Sequence, residues 1–160
     1  MKTNQVQFQA AILAGVLGTI AFDVVGYILS GTFWDVPNLL SMMLFEDAGL
    51  LPGVLAHYSN GLLLAVLYAA MAPSLWGNRW ARTTIFFSAE TLFGVYLFLF
   101  PLLDLGPFGH KLGAGFIAIS FVRHIVFGLV VAAVYPGRLQ LGITSACECS
   151  GDSCACSVAA

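Results

Sequence analysis

Charge is what this chain has least of. Its 160 residues include 6 Lys and Arg and 8 Asp and Glu, 9% in all, against 59% hydrophobic residues, and the mean hydropathy is +0.91. A soluble domain of this size cannot hide so much apolar surface inside one core. So few cations also leave no basic patch for nucleic acid. Cysteine is missing from the first 146 positions, which excludes a disulfide scaffold there. There is no glycine-rich phosphate loop and no serine or cysteine nucleophile beside a base, so neither nucleotide use nor hydrolysis is indicated, and an enzymatic role is not expected.

What is present is a set of four apolar runs, at residues 8–31, 51–72, 82–101 and 113–135. Each has about the 20 residues that a hydrocarbon core of roughly 30 Å requires. The expected fold is all-α: an integral membrane four-helix bundle over residues 1–136, followed by a flexible cysteine-containing tail over 137–160. Proline and glycine punctuate the runs at Pro37, Pro52, Gly53, Pro73, Gly106, Pro107, Pro136 and Gly137. The first run is longer than the apolar stretch of a cleavable signal peptide, and only Lys2 precedes it as a basic residue, so it is expected to stay as an anchor. Residues 39–45 are apolar but too short to span, and with Trp34 they read as an interfacial segment in the first outer loop.

Four of the six basic residues, Lys2, Arg79, Arg82 and Arg138, fall on one side of this arrangement. By the positive-inside rule that side is cytoplasmic, with both termini inside.

The sequence also repeats. A shift of 67 residues carries Asp23 onto Glu90 and His57 onto His124, and the stretches around the histidines share a pattern: His57, Gly61, Leu62, Ala65 and Tyr68 match His124, Gly128, Leu129, Ala132 and Tyr135. Two spans per repeat imply two tandem hairpins about a pseudo-twofold axis along the membrane normal. Steps of four residues place Ala11, Gly15, Thr19 and Asp23 on one stripe, Gly53, His57, Gly61 and Ala65 on a second, and Ser120, His124, Gly128 and Ala132 on a third. Stripes of small residues are the faces by which such helices approach one another. The four ionisable groups therefore point inward. Arg123, beside His124, costs roughly 2.5 to 3.5 kcal/mol within a membrane, so it needs a charge partner, and Asp23 or Glu90 is the expected one.

This cluster admits several chemistries. Asp23, His57, Glu90 and His124 form a ligand set for a transition metal such as Cu, Zn or Fe. Alternatively His57 and His124 hold a haem b between them, with Gly61 and Gly128 one turn below leaving space for the ring, in a redox protein that exchanges electrons with a quinone. A proton or ion path also fits. So does an interhelical hydrogen-bond network with no ligand, in an accessory subunit of a larger membrane complex. His110 and the Met42, Met43 pair are weaker candidates.

All four cysteines lie in the tail, as Cys147, Cys149, Cys154 and Cys156, two C-x-C pairs four residues apart. On the cytoplasmic side they remain thiols and suit Cu(I) or Zn(II). The expected function is thus binding, and transport, of a thiophilic metal, by a homodimer if a path is needed.

At the His57-x3-Gly61-x6-Tyr68 and His124-x3-Gly128-x6-Tyr135 motifs, with Gly15-x2-Gly18-Thr19, residues 10–136 resemble small four-span bacterial inner-membrane proteins of uncharacterised families. The resemblance implies a four-helix fold in a bacterial inner membrane and no mechanism.

Overall fold

The computed structural model describes residues 7–46 and 48–135 in full, and the backbone alone of 145–150 and 153–158. Lys2, Asp47, Arg138 and the side chains of the four cysteines lie outside the described residues.

Four helices are long and apolar enough to cross a membrane. These are α1 (Phe8–Ser30), α3 (Leu50–Met71), α4 (Arg79–Leu102) and α5 (Ala114–Val134). They fall where the apolar runs are, within three residues at either end. Gly31 closes α1 in the left-handed conformation, with φ 71° and its N–H bonded to Tyr27 O, a helix end that glycine adopts without strain. Asn78 caps α4 by accepting from the Ala81 N–H at 3.0 Å.

The first unexpected feature lies in the loop after α1, whose interfacial segment was expected to be too short to span. It forms a helix of its own, α2 (Asp35–Leu44), with Pro37 in the first turn, where a missing N–H does no harm. The segment is too short to stand alone. It packs along α3, where Gly53 lets the Pro37 carbonyl come so close that a Cβ would collide with it. Ser41 Oγ, buried, donates to Gly49 O at the other end.

The second unexpected feature lies inside α4. From Glu90 to Leu99 its backbone widens into a π-helix, the N–H of Phe100 bonding to Val95 O, before one closing α-turn at Phe100–Leu102. The π-helix is rare, and where it occurs, mostly as single-turn bulges, it is frequently at functional sites. This one begins at a carboxylate that the repeat singles out.

Helix α1 packs against both α3 and α5, and α4 packs against α5, with its Phe86 and Phe87 reaching Tyr68 of α3. The contact faces match the small-residue stripes: Ala11, Gly15, Thr19 and Asp23 on α1, and Gly53, His57, Gly61 and Ala65 on α3, are all buried. Gly15 sits against the Leu62 backbone and the Ala65 methyl at 3.0 to 3.1 Å for an added Cβ, so α1 and α3 touch almost backbone to backbone. An aromatic core of Phe22, Tyr68, Phe86, Phe87, Phe127 and Tyr135 fills one part of the bundle, and Val95, Tyr96, Phe100, Leu103 and Leu105 fill another. Outward faces are apolar, with Leu13, Ile28, Leu55, Leu63, Phe93 and Phe98 exposed.

In the tail, Ser145–Ser150 (β1) and Ser153–Val158 (β2) pair as an antiparallel hairpin.

Candidate functional site

The four ionisable residues of the repeat come together as two pairs, each within its own hairpin. His57 Nε2 lies 3.0 Å from Asp23 Oδ1, joining α3 to α1, with both side chains less than 10% exposed. The Tyr58 hydroxyl donates to the other carboxylate oxygen at 3.4 Å. With Asp23 ionised, Nε2–H is the donor and Nδ1 is the open ring nitrogen.

The second pair is looser. His124 Nδ1 lies 2.7 Å from the Ser120 carbonyl, which only accepts, so Nδ1 carries the proton and Nε2 is the open nitrogen. Glu90 Oε2 stands 3.8 Å from Nε2, beyond hydrogen-bond range, and it is buried without another partner. Burying a carboxyl oxygen unpaired costs about 1 to 3 kcal/mol or more. The looseness follows from α4, whose backbone starts to widen at Glu90.

Phe22 is shared by the two imidazoles, with ring centroids 5.3 Å from His57 and 5.1 Å from His124. Among the described residues no three His, Cys, Asp or Glu side chains gather closely enough to hold a metal ion. The single Asp23, His57, Glu90, His124 ligand cluster expected from sequence is therefore resolved into two separate pairs. Each histidine faces the carboxylate of the helix beside it, at hydrogen-bond distance for His57 and beyond it for His124.

The glycines expected to make room for a haem ring are used for packing. A Cβ on Gly61 would strike the Thr19 hydroxyl, and one on Gly128 would come within 2.9 Å of the Phe87 ring. With Phe22 against both imidazoles as well, the residues present do not fit a ring held between His57 and His124.

Arg123 has a partner other than the two expected. Its Nη1 and Nη2 donate to Asp35 Oδ1 and Oδ2 at 2.9 and 2.6 Å, a two-pronged pair between α5 and the first turn of α2. Its side chain is 2% exposed, against 22% for Asp35. Gly26 makes the position possible, because a Cβ there would occupy the space of the guanidinium. Asp35 is the functional residue that sequence reading left in a loop. A proline two residues on, in what is now a first helical turn, was the signal for it.

Of these groups His57, Arg123 and His124 line one cavity of about 230 Å³, and their carboxylate partners do not. Thr19 and Phe22 of α1 back it. Val36, Leu39, Leu40 and Leu44 of α2 and His57, Asn60 and Leu64 of α3 form one side. Val95, Leu99 and Phe100 of the π segment, with Ser120, Arg123 and His124 of α5, form the other. Apolar side chains dominate, with a few polar ones facing in from both sides: His57 and Asn60 from α3, Ser120, Arg123 and His124 from α5. Asn60 is an exposed residue that also lines the cavity.

His110, by contrast, does not line this cavity: it is exposed in the turn at Pro107–Leu112, its Nδ1 3.3 Å from Pro107 O. Beside it, Lys111 Nζ donates to Asp104 Oδ1 at 2.9 Å and holds that carboxyl below its ordinary range.

Comparison of the chain with protein-family models, with curated proteins and with solved structures finds no match, so its fold and its site rest on its own residues.

Proposed function

We propose that this chain is a multi-pass protein of a bacterial inner membrane, with both termini cytoplasmic. In this reading its helical bundle binds a small, mostly apolar molecule bearing a hydroxyl head. Four long apolar helices with apolar outward faces support the membrane placement, and the one-sided distribution of Lys2, Arg79, Arg82 and Arg138 supports the orientation. The pairing of Asp23 with His57 and Glu90 with His124 supports two tandem hairpins about an axis along the membrane normal.

The observation that carries the ligand is the apolar cavity lined by a few polar groups from α3 and α5. An apolar cavity of about 150 Å³ already takes benzene, so one of about 230 Å³ has room for a larger ring system. Apolar volume with a few convergent polar groups is the usual form of a small-molecule site. The head follows from the open nitrogens: each neutral imidazole leaves one ring nitrogen as an acceptor, and an acceptor is satisfied by a hydroxyl rather than by a carbonyl. Asn60, as a donor, complements the hydroxyl oxygen. The Asp23 carboxylate steadies the His57 imidazole as a proton is shared with the head, and the Ser120 carbonyl steadies that of His124. A metal path through the bundle is not favoured by this arrangement, in which the two pairs are separate.

The test uses 2-naphthol and its headless analogue naphthalene, added to the protein in lipid nanodiscs, with empty nanodiscs subtracted. Saturable binding of 2-naphthol about tenfold tighter than that of naphthalene is expected, the worth of roughly one good hydrogen bond. His124→Phe should erase the difference. Equal affinity for both probes, or no binding beyond lipid partition, would contradict the reading.

A further inference from the structure

The tail brings a second set of residues together, apart from those of the cavity. Its hairpin register sets Cys147 opposite Cys156 and Cys149 opposite Cys154. Two properties of strands then act together. Residues two apart on one strand share a face, and directly opposed residues of an antiparallel pair share a face as well. All four cysteine positions therefore fall on one face of the ribbon, while Ala146, Glu148, Ala155 and Ser157 fall on the other.

This outcome depends on both the spacing and the register. A C-x2-C spacing would divide each pair between the faces. A slip of one residue would set every cysteine against serine, alanine or glutamate and disperse the array. The two-residue connection at positions 151 and 152, Gly and Asp, has the length that fixes such a hairpin register.

We propose that these four positions form a tetrathiolate site for one thiophilic d10 ion, Zn(II) or Cu(I), on the cytoplasmic side of the membrane. Opposed positions lie about 5 Å apart and positions along a strand roughly 6.6 Å apart. A two-by-two array of that size suits thiolates closing on one tetrahedral ion with Zn–S bonds of about 2.3 Å. A reducing compartment keeps the sulfurs available. Each thiol that ligates gives up its proton, so affinity rises with pH. The chemistry differs from the cavity's: soft sulfur donors on a ribbon against hydrogen-bonding groups in a bundle.

The experiment titrates the full-length protein, reduced and kept under nitrogen in detergent, with Co(II). Co(II) reports tetrahedral thiolate coordination by sulfur-to-metal charge-transfer absorption, and Zn(II) then displaces it. One ion per chain is expected, with the spectrum lost in Cys147→Ser/Cys156→Ser. The decisive variant is Glu148→Cys/Cys149→Glu, which keeps four cysteines but moves one to the opposite face. At least a tenfold loss of affinity is expected for it, with wild-type binding retained by Asp23→Asn. Unchanged affinity of the exchanged variant would mean that the tail collects metal with no ribbon, and would overturn the proposal. So would two intact disulfides in protein taken directly from cells, or reduced thiols that give no Co(II) spectrum.

Discussion

Replacing Asp35 with asparagine removes the negative partner of a guanidinium that is 2% exposed, while keeping the shape of the side chain at the start of α2. Breaking a buried pair from one side costs about 3 to 5 kcal/mol, because the charge left behind has neither partner nor water. Asp35 retains 22% exposure, so the lower end applies, about 3 kcal/mol, or roughly a hundredfold in the folding equilibrium. The reverse change, Arg123→Met, leaves a carboxylate that can still reach solvent and should cost less. The double variant should then recover part of the Asp35→Asn loss, since two neutral groups impose no unpaired charge. Unfolding by SDS in mixed micelles, followed by tryptophan fluorescence, measures all three. Amide exchange adds a local readout: α2 is held by this pair and by the contacts of Pro37 and Ser41, so exchange over residues 35–44 should accelerate selectively. If Asp35→Asn unfolds at the same SDS fraction as the wild type, or if Arg123→Met is the more damaging change, the argument that Asp35 neutralises a buried Arg123 is wrong.

Two further outcomes follow from the packing and from the loop ion pair. Gly61→Ala places a methyl against the Thr19 hydroxyl and should cost about 1 to 3 kcal/mol as overpacking. Most of this should be recovered in Gly61→Ala/Thr19→Ala, as read by the same SDS titration; no recovery would place the strain elsewhere. Asp104 is held below its ordinary range by Lys111, through a hydrogen bond first and charge attraction second. A depressed folded-state value means that the contribution is present above the unfolded carboxylate value of about 3.9 and is lost as pH falls through the lower folded one. Lys111→Ala should return the Asp104 titration, followed by carboxyl-carbon NMR in micelles, to the ordinary range. An unchanged midpoint would show that the pair does not form in solution.

The four long helices were legible because each apolar run is bounded by proline or glycine, and such a run has few alternatives to a helix. The site was legible only in part. The repeat pointed to Asp23, His57, Glu90 and His124, and the structure does pair these residues. It pairs them two by two because adjacent helices of one hairpin meet first. Arg123 was known to need an anion, yet its anion lies on α2, and the local sequence gives that helix little stability of its own. Helix α2 exists through contacts that no sequence window contains: Gly53 beneath Pro37, and Arg123 beneath Asp35. The widening of α4 from Glu90 to Leu99 has no local signature either, since that stretch reads as an ordinary apolar helix. Gly61 and Gly128 were visible as motif positions, but whether a glycine makes room for a ligand or for a neighbouring helix is settled by what stands opposite. Here Thr19 and Phe87 stand there.

The central claim is that the cavity between α2, α3 and the π segment receives the ligand. The most direct measurement is 2-naphthol binding to Ala56→Phe, a substitution that puts a ring into that cavity from its α3 side. The account predicts that saturable binding disappears while resistance to SDS is kept or improved, as filling a cavity does. Binding retained at wild-type affinity in a folded Ala56→Phe protein would place the ligand elsewhere and contradict the account.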